Sequence, residues 1–111
     1  MGWNTLNDLS QVQHIIEASR ETPQLFFKHS TRCSISTMAL SRFEKSGILE
    51  NNALVCWYLD LLEYRPISSE IEVKCHVIHQ SPQAILLKNG EVIYQESHGM
   101  IDANELLKKI V

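Results

Sequence analysis

An α/β fold, with a mixed central sheet of about four strands flanked by helices on both faces, is the architecture this sequence predicts. Three observations carry the prediction. Gln24–His29 (QLFFKH) and Ala53–Leu59 (ALVCWYL) are short apolar, aromatic-rich runs of the kind that form buried strands. Residues 33–46 between them switch to helical spacing, which completes a βαβ unit with parallel strands and a right-handed crossover. Asn89-Gly90, set between Ala84–Leu87 and Val92–Tyr94, signals a type I′ hairpin and so adds an antiparallel pair.

Each element has its own local reason. Leu9, Val12, Ile15 and Ile16 recur at helical spacing, predicting an amphipathic helix over about residues 7–20 that stops before Pro23. The strand Gln24–His29 follows. In the helix over 33–46, Ile35, Met38, Ala39 and Phe43 fall on one broad face, and Gly47 takes the left-handed position beyond its end. The unbroken apolar run Ala53–Leu59 suits a strand covered on both faces. A short third helix begins near Pro66, with Ser69 and Glu72 in capping-box spacing. After the hairpin, Asp102 and Glu105 repeat that spacing ahead of Leu106, Leu107 and Ile110. The order is α-β-α-β-α-β-β-α, with no internal repeat and no low-complexity linker.

A chain of 111 residues has room for one core, so a single domain over 1–111 is expected. Ten Lys and Arg against 13 Asp and Glu give a net charge of −3, without the basic excess of a nucleic-acid binder. At 44 % hydrophobic and 21 % charged, the composition is that of an ordinary folded protein. The apolar runs are too short to span a membrane. The opening MGWNTLNDLS lacks the apolar core of a signal peptide, and Leu6 stands where a myristoylation signal needs Ser or Thr. A cytoplasmic protein is expected, with neither nucleic acid nor membrane as partner. Three cysteines, an odd number, argue for buried or reactive thiols rather than a disulfide framework.

Cys33 stands where the first predicted strand hands over to the second helix. In a βαβ unit that joint lies at the carboxyl edge of the parallel strands, where α/β folds place ligands. Free N–H groups and the positive end of the helix dipole favour thiolate there, and thiolate is the nucleophile. No carboxylate occurs between Glu21 and Glu44, whereas Lys28, Arg32 and Arg42 are cationic. Arg32 directly precedes the cysteine and pushes the same way. Thr31, Ser34 and Ser36 bring hydroxyls, Ser36 one helical turn on. The bland alternative is a buried structural cysteine, and the polar, cationic neighbours argue against it.

The remaining candidates divide differently. Cys56 lies inside an apolar run and reads as a core side chain. Cys75, beside His76 and near His79, invites a zinc reading but matches no strong structural-zinc spacing, so no metal is expected. His29 is either a tuning group for Cys33 or a hydrogen-bonded structural imidazole. Pro82, after Ser81 at the entry to a strand, is a candidate for a cis bond, although X-Pro bonds are mostly trans.

The order of elements resembles the thioredoxin fold. The stretch FKHSTRCSIS (Phe27–Ser36) resembles, more specifically, the bacillithiol-system redox proteins of the YtxJ type, the monothiol bacilliredoxins. The similarity runs on through YRP (Tyr64–Pro66), HQSPQAILLKNGEVIY (His79–Tyr94) and the pair Ser97-His98. This resemblance implies a thioredoxin-like domain with a cis-proline loop, Ser81-Pro82, positioning substrate beside Cys33. It implies a monothiol thiol-disulfide oxidoreductase that removes bacillithiol from S-bacillithiolated client proteins, with bacillithiol as co-substrate and no bound cofactor. Thr31, Arg32, Ser34 and Ser36 would stabilise the thiolate, and Lys28, His29 and His98 would act electrostatically. Against thioredoxin itself, Cys33-Ser34-Ile35-Ser36 lacks the second thiol, and Phe27 stands near the place of the buried acid. Two other readings stay open: a general thioredoxin- or glutaredoxin-like protein using another small thiol, and a non-enzymatic thioredoxin-fold protein that binds a partner or an iron–sulfur cluster.

Overall fold

Five strands, rather than about four, form the sheet in the computed structural model, which describes residues 2–110. They are β1 (Trp3–Thr5), β2 (Gln24–His29), β3 (Val55–Asp60), β4 (Gln83–Lys88) and β5 (Glu91–Ser97). The helices are α1 (Ser10–Ala18), α2 (Ser34–Lys45), α3 (Arg65–Cys75) and α4 (Ala103–Lys108). Short 3₁₀ turns lie at Ile48–Glu50 and His98–Met100. The sheet order is β1-β3-β2-β4-β5; β1, β3 and β2 are parallel, and β4 and β5 run antiparallel. The additional strand, β1, carries only Trp-Asn-Thr, too short to show a period of two. Its pairing with β3, Trp3 opposite Cys56, holds it in the sheet.

Alternation along β2 divides the core between the two faces. Phe26 joins Val12 and Ile15 of α1 and Ile67 and Ile71 of α3 on one side. Leu25 and Phe27 join Phe43 of α2 and Ala103 and Leu106 of α4 on the other. Both aromatic residues of β2 are fully buried.

Several local expectations change. The first helix is shorter than 7–20, and Leu9 is exposed at its N-cap instead of packing inward. The inward face of α2 is Ser36, Ala39 and Phe43, while Ile35 and Met38 are 56 % and 68 % exposed. The third strand is half-exposed at Val55, Trp57 and Tyr58 and not covered throughout, although Trp57 and Tyr58 lie opposite β1. Ser69 and Glu72 form no capping box: α3 starts earlier, at Arg65 after Tyr64, with Pro66 in its first turn.

Other signals act as read. Asn89 (φ 56°) and Gly90 (φ 79°) are both left-handed in the β4–β5 turn, as a type I′ hairpin requires. Gly47 (φ 85°) stops α2. The Asp102 carboxylate caps α4, accepting from Asn104 N at 2.9 Å and Glu105 N at 3.2 Å.

Candidate active site

Cys33 is the N-cap of α2, with extended backbone (φ −112°, ψ 121°). The first intrahelical bond is Thr37 N to Cys33 O, so the N–H groups of Ser34, Ile35 and Ser36 lie in the first turn, ahead of it. That turn contains no acidic residue, and Arg42 and Lys45 sit in the last turn. The half-exposed Cys33 thiol thus meets solvent on one side and the positive end of a helix dipole on the other. The other thiols differ in kind. Burial pushes Cys56 up to about 12, and it pushes Cys75 up to about 11 against the opposing pull of the Lys28 ammonium. Both stay protonated and inert at neutral pH.

The second wall comes from β4. Lys28 pairs with Gln83 at the end of the antiparallel β2–β4 register, so Ser81-Pro82, which leads into Gln83, lies at the sheet edge where β2 passes through His29 into the Cys33 loop. The Ser81–Pro82 bond is cis. The Pro82 carbonyl accepts from His98 N at 3.0 Å, which brings the end of β5 to the same edge. The Ser81 hydroxyl is buried and has no hydrogen-bond partner among the described residues.

The predicted site residues separate into those that face Cys33's edge and those that do not. Thr31, Arg32 and Ser34 flank the cysteine and are exposed. Ser36 is fully buried, and its Oγ accepts from Ser30 N at 3.0 Å and pairs with His29 Nδ1 at 2.7 Å. Its hydroxyl is therefore engaged with the strand end, and among the described residues no side chain hydrogen-bonds the Cys33 sulfur. His29 is buried, and that burial holds its imidazole below the ordinary histidine range, with Asp60 and Glu44 pulling the other way. The side chain of His98 is exposed.

Lys28 is a correction. Its place in the sequence groups it with the cations around Cys33, yet it is 0 % exposed and points to the opposite face of the sheet, under α3. The physical reason is strand alternation: Phe27 and His29 face α2, so Lys28 between them cannot. Its Nζ donates to His79 Nδ1 at 3.1 Å and to the Ser68 carbonyl at 3.4 Å. Desolvation lowers it from 10.5 to about 8. Sequence reading misses Ser68 and His79 as its partners, since nothing local ties residues so distant in the chain.

Among the described residues no three His, Cys, Asp or Glu side chains are grouped to hold a metal ion. No described helix is long and apolar enough to cross a membrane.

A sheet of this order, with one half-exposed thiol opening α2 and a cis proline at the neighbouring strand entry, defines the class: a thioredoxin-like protein with a single accessible cysteine. A protein with a thioredoxin fold, proposed to be an oxidoreductase, is 31 % identical at a TM-score of 0.80, over 95 % of this chain and 90 % of its own. A point variant of thioredoxin from Halobacterium salinarum matches at 16 % identity and a TM-score of 0.71, over 98 % and 88 % of the two chains. Spinach chloroplast thioredoxin f matches at 18 % and 0.71, over 98 % and 84 %. These two distant likenesses bear on the fold alone. The chain belongs to the monothiol bacilliredoxin family, whose BrxC model matches residues 4–106.

Proposed function

We propose that this protein is a thiol-disulfide oxidoreductase that removes bacillithiol from S-bacillithiolated proteins through Cys33. The observation that carries the reading is the division of the three thiols: Cys33 is accessible at a helix N-terminus, whereas Cys56 and Cys75 are buried. Ser36 stands where a dithiol enzyme would keep its resolving cysteine, so no neighbour can displace a group captured on Cys33.

In the exchange, the Cys33 thiolate attacks the bacillithiol sulfur of the mixed disulfide. The new bond joins Cys33 to bacillithiol, the old disulfide breaks, and the client leaves as a thiolate that takes a proton from water. A second bacillithiol thiolate then attacks the bacillithiol sulfur of that mixed disulfide, so that Cys33 leaves as thiolate and oxidised bacillithiol is released. Developing charge on Cys33 is met by the first-turn N–H groups and the helix dipole. The exposed Arg32 guanidinium would meet the malate carboxylates of bacillithiol, a role the buried Lys28 cannot share. The Ser81 hydroxyl at the same edge is buried and has no hydrogen-bond partner among the described residues. The cytoplasm, where small thiols are kept reduced, is the compartment this chemistry suits.

Intact-protein mass spectrometry after mixing with oxidised bacillithiol tests the reading. One bacillithiol adduct is expected on the native chain and none on Cys33→Ala. A Cys33→Ala variant modified to the same extent overturns the assignment.

A further inference from the structure

A fully buried lysine in a small protein costs stability, because its ammonium must be desolvated. Among the described residues Lys28 has no carboxylate in contact to compensate: its hydrogen-bond partners are an imidazole and a carbonyl. Both partners belong to segments other than its own strand. Ser68 is on α3, and His79 lies in the segment between α3 and β4 that leads into Ser81-Pro82.

The same segment is tied down at several further points. His79 N donates to Glu72 Oε2 at 2.8 Å, and Ser68 Oγ approaches His79 Nδ1 at 3.2 Å. Gln83, also fully buried, donates through Nε2 to the Ile78 carbonyl at 3.1 Å and accepts from Gln80 N at 3.4 Å. These bonds run from β2, the body of α3 and the start of β4 to residues 78–80. Lys28 Nζ supplies the only one of them that starts on β2, the strand whose next residues lead to Cys33.

We propose that Lys28 is a positioning residue, its buried amine hydrogen-bonding His79 Nδ1 so as to fix the segment that carries Ser81 and Pro82 opposite the Cys33 loop. His79 must accept, so it is the neutral tautomer protonated at Nε2; partial desolvation of the ring and the adjacent Lys28 cation both keep it so. The groups facing the lysine are His79, and Glu72 and Cys75 of α3; Arg65 of α3 acts on His79. Because disulfide exchange needs three sulfurs in line, a displaced wall slows exchange without altering the thiol itself. This role rests on Cys33 being the exchanging thiol, and a generic probe keeps the two readings apart.

The test uses Lys28→Met, His79→Ala and His79→Asn on the full chain. Cys33 is assayed by alkylation with iodoacetamide and by exchange with a protein–cysteamine mixed disulfide, and amide exchange is followed over residues 77–82. Lys28→Met and His79→Ala should alkylate at the native rate, exchange about tenfold more slowly, and lose amide protection in that segment. His79→Asn, which can place an amide oxygen where Nδ1 was, should recover most of both. Because His79 is exposed, its two variants report even where Lys28→Met does not fold. Native exchange rates in folded Lys28→Met or in His79→Ala overturn the role, as does failure of His79→Asn to exceed His79→Ala. A native protein that exchanges cysteamine but not bacillithiol refutes the bacillithiol reading and leaves this one standing on the same variants.

Discussion

The Ser36 hydroxyl holds together two groups that the Cys33 loop would otherwise leave bare, the Ser30 N–H and His29 Nδ1. In Ser36→Ala both lose their partner in a buried setting, and a loss of about 1–3 kcal/mol is expected from urea unfolding curves. Retention of native stability would show that water replaces the hydroxyl. At this scale the sequence shows which residues cluster near Cys33 but not which way each one points. Helical spacing places Ser36 a turn from the cysteine. That its oxygen is taken by a histidine seven residues earlier is a tertiary fact, created by the tight passage from β2 into α2. Lys28 is different, because period-two alternation in β2 already separates it from His29. Counting charge along the chain ignores that geometry.

At the scale of elements, caps and turns are the most legible features because their chemistry is local. Asp102 caps α4 as its spacing suggests, with the carboxylate on two backbone N–H groups. Asp102→Ala should cost about 1 kcal/mol in thermal or urea unfolding while leaving the alkylation rate of Cys33 unchanged. An altered alkylation rate would mean that α4 influences the cysteine from its distance. Helix faces are harder. In α2, hydrophobicity favours Ile35 and Met38, yet the buried stripe is Ser36, Ala39 and Phe43. A serine can be the inward residue when a strand end supplies its hydrogen bonds, and an apolar count has no means of registering that. The strand β1 is invisible for the opposite reason: its order comes almost wholly from the partner strand and from Trp3, which packs on Phe43 and donates to Glu44.

For the molecule as a whole, the buried titratable groups set how stability follows pH. Lys28 keeps its proton to about 10.5 when unfolded but only to about 8 in the fold. Between those values the unfolded chain binds more protons, so this residue makes stability rise with pH. Cys56 and Cys75 work the other way above about 9, since the fold holds their protons longer. The difference between native protein and Lys28→Met isolates the lysine. From pH 7.5 to 10 the native chain should gain on the variant by up to about 3 kcal/mol in urea unfolding. An unchanged difference would place the Lys28 amine in contact with water. The histidines act at the acid end: burial of His29, and partial desolvation of His79 beside Lys28, hold both below the usual range, so stability is lost as pH falls below about 6.5.

A molecule with one accessible thiol also equilibrates differently from one with two. In the proposed exchange, the fraction of Cys33 carrying a small thiol follows the ratio of oxidised to reduced thiol to the first power. Total thiol concentration cancels. A dithiol centre that closes on itself releases two small thiols per turnover, so its oxidation also depends on how much thiol is present. Having serine at position 36 and keeping Cys56 and Cys75 inside the core therefore fixes what Cys33 can report. It responds to how oxidised the thiol pool is, independent of how large that pool has become.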